Sequence, residues 1–169
     1  MLRKMVQPAF VVFAFSLLAY DALGQARATT APPSTPYGMS IGLDDAKKAA
    51  AAAIAEARKN NWTMAVAVVD PAGYLIYFEK MDGTQTGSVE VSIEKARTSA
   101  LFRRPTKAFQ DALAAGGEGL RLLRLTGAMP IDGGAPINVG GRIVGAVGVS
   151  GGSGEQDGQV AAAGAAAFK

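Results

Sequence analysis

The chain has 169 residues, enough for one to one-and-a-half ordinary domains, and it contains neither histidine nor cysteine. Those two absences exclude a histidine-based triad, a cysteine nucleophile, disulfides and Cys/His metal sites, and no metal site is expected. A 49% hydrophobic share excludes wholesale disorder, and a net charge of +3 gives no electrostatic case for nucleic acid or an anionic membrane.

Arg3 and Lys4 precede an apolar run over residues 10–20, followed by small residues at Ala22 and Gly24. A charged start, a short apolar stretch and a small-x-small site predict a secretory signal peptide over 1–24, with Ala26 and Ala28 offering a second site. The run falls short of the roughly 20 residues that a membrane span needs. Cleavage after Gly24 would remove Arg3, Lys4 and Asp21, two positive charges and one negative, and leave +2. Residues 25–38 are rich in Thr, Pro and Ala and predict a flexible arm. Folding then concerns residues 39–169. The expected location is periplasmic or secreted, in a bacterium, with no membrane contact after cleavage.

Within that domain, residues 43–60 predict a helix. Leu43, Ala46, Ala50, Ile54 and Ala57 share a face, Asp44 and Asp45 open it, and Arg58 and Lys59 close it before an Asn60–Asn61 cap. Residues 64–70 (MAVAVVD) are apolar on both alternating faces, which suits a central strand covered on both sides. Asp70-Pro71-Ala72-Gly73 has the residues of a tight turn, and 74–80 (YLIYFEK) returns as a strand. A second helix follows over 89–102, with Ser88 as cap and Val89, Ile93, Ala96 and Ala100 facing inward. A short helix capped by Thr106 reaches Ala114, and Gly116-Gly117 stops it. Residues 121–125 fit helix or strand equally.

Glycine turns at 132–134 and 140–141 bracket a strand over 136–139, and 142–150 (RIVGAVGVS) forms the longest strand. Its glycines at 145 and 148 mark a bulge or a close approach by another backbone or a ligand. Ser153 with Gln156 makes a capping box that opens a last helix to about residue 168. The order lacks a regular βαβ alternation, so the fold class is α+β: an antiparallel sheet flanked by helices.

Few motifs carry chemistry. Gly151-Gly152-Ser153-Gly154 lacks the lysine of a phosphate loop, though the helix it precedes could hold a carboxylate; a plain turn explains it as well. Tyr74 and Tyr77 fit strand packing or ligand stacking. Glu90 and Glu94, one helical turn apart, fit a carboxylate pair or a solvated face. Arg103, Arg104 and Lys107 form a small basic cluster at a helix end.

The sequence resembles the GlcG/HbpS family of haem-binding or haem-degrading domains, related to the C-terminal domain of PduO-type proteins. The resemblance rests on Val66-Ala67-Val68-Val69-Asp70-Pro71-Ala72-Gly73, on Lys80-Met81-Asp82-Gly83, on Glu94-Lys95-Ala96-Arg97-Thr98, and on Gly133-Gly134-Ala135-Pro136-Ile137. It continues through Gly140 to Gly152 and Asp157, and covers about residues 41–168. It implies a layered, profilin-like antiparallel sheet of about five strands, and a homo-oligomer from dimer to octamer. It also implies a small-molecule ligand, with haem possible as a cofactor. Members of the PduO-like branch ligate haem iron through histidine, which this chain lacks, so Met, Tyr, Lys, a hydroxyl or water would have to serve.

The expected ligand pocket lies between the 80–82 loop, the Lys95/Thr98 face of the second helix and the end of the last strand. Met81, Asp82, Lys95, Thr98, Phe102, Gly148, Ser150 and Gly151 are its candidate residues. An enzymatic alternative, haem-degrading, lyase or isomerase, would use Asp82, Lys95 or Asp132 as acid or base. A third reading is an accessory subunit with a periplasmic redox partner.

Overall fold

The structure is a computed structural model and describes residues 34–168. The signal segment and residues 25–33 of the arm lie outside the described residues. The first helix, α1 (Leu43–Lys59), buries an almost unbroken alanine face with Ile54, has aspartates in its first turn, and ends at Asn60. Asn61 follows with φ 56, the left-handed exit that asparagine tolerates. Strands β1 (Ala65–Val69) and β2 (Leu75–Lys80) are joined by the expected turn. Asp70 Oδ1 accepts the N–H groups of Ala72 and Tyr74 at 2.9 and 2.8 Å, and Gly73 takes φ +84. Helices α2 (Ser88–Phe102) and α3 (Lys107–Ala114) lead into a 3-10 helix over Gly117–Arg124, which decides the segment that fitted helix or strand equally. Strands β3 (Gly134–Val139) and β4 (Arg142–Ser150) and helix α4 (Gly154–Ala165) complete the order, and a 3-10 turn, Ala166–Phe168, replaces the last turn expected of α4.

The sheet is antiparallel throughout, in the order β2-β1-β4-β3. Its two faces are covered by different helices because β1 and β4 alternate. Val66, Val68, Val147 and Val149 meet α1 and α4, whereas Ala67, Val69 and Ala146 meet Ala96 and Ala100 of α2. Every residue of β1 is buried, as expected of a central strand. Among the described residues the sheet has four strands, where the resemblance implied about five. Where β1 turns away at Asp70, residues 36–38 take its place beside β4 with a single parallel bridge from Tyr37 to Ile143. Gly38 N–H donates to Ile143 O at 2.8 Å, and Ile143 N–H donates to Pro36 O at 2.9 Å. The last residues of the predicted arm therefore belong to the fold.

Two predicted caps have other partners. Ser88 lies inside α2 behind an N-cap at Gly87, and its hydroxyl accepts from Ser150 and Gln85. Thr106 Oγ1 accepts the N–H of Gly134 at 2.8 Å, tying the start of α3 to β3. The capping box of α4 is present, with Ser153 N–H donating to Gln156 Oε1 at 2.9 Å and Gln156 N–H to Ser153 Oγ at 3.3 Å.

Candidate functional site

The inner face of α2 is polar. Ser88, Ser92, Lys95 and Ser99 recur at helical spacing and are all buried, alongside the expected Ala96 and Ala100. Val89 and Ile93, expected to face inward, are only partly buried. Lys95 is 1% exposed, and its Nζ lies 2.7 Å from Asp157 Oδ2 and 3.1 Å from Val149 O. The other Asp157 oxygen accepts the N–H of Gly152 at 2.9 Å. Lys95 starts on one face of the sheet and ends beside α4 on the other. It passes where Gly133, at φ +125, has no side chain, since a Cβ there would stand 2.8 Å from Nζ. Burial pushes the Asp157 carboxyl above its ordinary range, against the pull of Lys95 and of the Gly152 N–H. Lys95, named from the sequence as a ligand or acid/base group, is thus placed as a sealed tie between α2 and α4.

The other candidates divide between the interior and the surface. Thr98 Oγ1 lies 2.8 Å from Glu94 O and 3.2 Å from Gly127 O and accepts the N–H of Met129 at 2.8 Å, so it holds the loop before β3. Phe102 packs edge-on against Phe109, with ring centroids 5.3 Å apart. Gly148 lies under α2: a Cβ there would be 2.0 Å from Ser92 O. Ser150 donates to Ser88 at 3.1 Å, and Gly151 abuts the Thr63 carbonyl, where a Cβ would come within 2.3 Å. These residues form packing seams, with the glycines closed against neighbouring backbone. Asp132 is half-buried. Its carboxylate accepts the Gly133 N–H at 2.7 Å and rests against Gly158, and burial pushes it above the usual carboxylate range. Lys95 lies near enough to Asp132 for its charge to act on that carboxyl, whereas no hydrogen bond or ion pair among the described residues joins Asp82 to either of them.

Met81 and Asp82 do meet open space. With Arg58, Glu79 and Lys80 they line a cleft of about 400 Å³ where the end of α1 comes beside the end of β2. Lys80 Nζ donates to Thr84 O at 3.0 Å and Met81 N–H to Met64 O at 3.0 Å, so the loop is fixed from both sides. In the sequence Arg58 is a charge at a helix end, and its meeting with β2 is tertiary. A second cleft of about 450 Å³ lies at the open β3 edge, walled by Pro105, Ala135, Pro136, Ala162 and Ala165, with Arg103 at its side.

A family model described as haem degrading protein HbpS-like matches residues 41–166. Protein GlcG of Escherichia coli K12 is 43% identical over 97 residues, 56% of this chain and 69% of GlcG. Among solved structures, a double mutant of HbpS from Streptomyces reticuli superposes with a TM-score of 0.71 at 32% identity, covering 82% of this chain and 98% of HbpS. A PduOC:heme complex gives 0.69 at 25% identity, covering 78% and 96%. The sheet, the flanking helices and the matched span agree with one another, and the chain belongs to the HbpS-like family.

Proposed function

We propose that this chain is an exported binding protein for a flat organic acid, with haem as the first candidate, and that the ligand sits in the Met81 cleft. The carrying observation is that this cleft sets two cations, Arg58 and Lys80, and two carboxylates, Glu79 and Asp82, around a partly buried thioether, Met81. The cations suit carboxylates, and the thioether offers apolar contact and a soft donor. This donor set fits a haem held by its propionates, without the imidazole that a strongly ligated haem requires. Haem, when bound, would supply the iron chemistry; the chain's own residues would orient it and neutralise its acid groups. A binder is favoured over an enzyme because, of the three acid/base candidates, Asp82 alone lines the cleft, while Lys95 is sealed in its pair with Asp157. Self-association is part of the same proposal and rests on the family resemblance.

Ferric haem titrated into the wild-type domain is expected to saturate at one per chain, with a Kd in about the micromolar range. Met81→Ala and Arg58→Ala should each weaken it about tenfold, the scale of one charge-assisted or buried apolar contact. A non-saturating curve identical in all three proteins would overturn the proposal.

A further inference from the structure

We infer a second, separate ligand site in the cleft at the open edge of the sheet, built for an apolar monocarboxylate such as a medium-chain or aromatic acid. The sheet ends at β3, and the cleft beside that edge lies between α4 and the connection that follows α2, at Arg103 and Pro105. Ala135 and Pro136 form its floor, Ala162 and Ala165 one wall, and Pro105 the other. Short side chains leave a volume of about 450 Å³, within the range that holds a small organic ligand.

Arg103 supplies the charge. It caps α2 in the left-handed conformation, φ 56, where helices commonly end in glycine. The chain thus accepts backbone strain to keep a side chain at this position. The guanidinium lies 5.3 Å from the centroid of the Tyr37 ring, which fixes it on one side. Among the described residues it forms no ion pair with a carboxylate. An apolar slot beside a guanidinium that has no carboxylate partner among the described residues is complementary to an acid with an apolar tail. No sulfur, imidazole or phenolate lines this cleft, so it suits a purely organic acid rather than an iron porphyrin.

Decanoate, and decanol as its neutral counterpart, titrated into the full domain by calorimetry test the inference. Decanoate should saturate at one per chain and bind about tenfold more tightly than decanol, the scale of one charge-assisted contact. Arg103→Asn, which tolerates the left-handed backbone, should erase that difference and leave decanol unchanged. Ala162→Trp should abolish binding of both at an unchanged melting temperature, because Ala162 is exposed. Met81→Ala should leave decanoate binding as it is, which separates this site from the one proposed for haem. Unsaturable binding, or decanoate affinity equal in wild type, Arg103→Asn and Ala162→Trp, would overturn the inference.

Discussion

Lys95 of α2 and Asp157 of α4 meet with Nζ 2.7 Å from Oδ2, both closed to solvent and 62 residues apart in the chain. Removing one partner leaves the other charge buried alone. Lys95→Met and Asp157→Asn are each expected to lower unfolding free energy by roughly 3–5 kcal/mol. The double variant Lys95→Met/Asp157→Asn should cost less than the sum of the singles, and urea denaturation of all three beside the wild type closes the cycle. Additive costs would mean that the pair is not coupled.

The glycine under α2 gives a sharper steric test. A Cβ at Gly148 would stand 2.0 Å from Ser92 O and 2.4 Å from Ala96 N, both backbone atoms that cannot swing aside. Gly148→Ala should therefore cost about 3 kcal/mol or more, at the upper end for overpacking. Gly87→Ala is the control, since open space surrounds it and its φ is −60. It should be neutral or stabilise by up to about 1 kcal/mol. Similar melting temperatures for the two variants would contradict the α2–β4 packing.

Much of this fold was legible in the sequence because its signals are local. The Asp70 turn, the capping box and the bounds of β4 each depend on residues within a few positions of one another. The site was less legible. A lysine near the middle of a helix is ordinarily solvated, and nothing local reveals that Asp157 waits 62 residues on. The spacing of Ser88, Ser92, Lys95 and Ser99 does mark one helix face, but an expectation of apolar burial selects Val89 and Ile93 instead. The Met81 cleft needs Arg58 and β2 brought together, which only the tertiary fold supplies.

Acid should act through Asp132. Burial raises its carboxyl above the ordinary range, against the Gly133 N–H and the charges of Lys107 and Lys95. The folded chain then holds this proton more tightly than the unfolded chain, so stability falls as pH rises from the ordinary carboxylate range through the raised value. Asp157, also raised by burial, adds a slope of the same sign. Asp132→Asn keeps an acceptor for Gly133 and removes the titration. Its stability relative to wild type should improve from acid to neutral pH, and a constant difference across that range would contradict the assignment.

Export predicts a processed chain. N-terminal sequencing of the mature protein should begin between Gln25 and Thr29, and a retained Met1 would contradict the signal peptide.

The binding claim is tested most directly by native mass spectrometry of the protein purified from its own host, which reports ligand and assembly together. The proposal predicts an oligomer carrying one acidic organic molecule per chain, lost from an Arg58→Ala/Met81→Ala variant whose assembly is unchanged. Ligand-free chains from the host, or the same ligand retained by that variant, would contradict it.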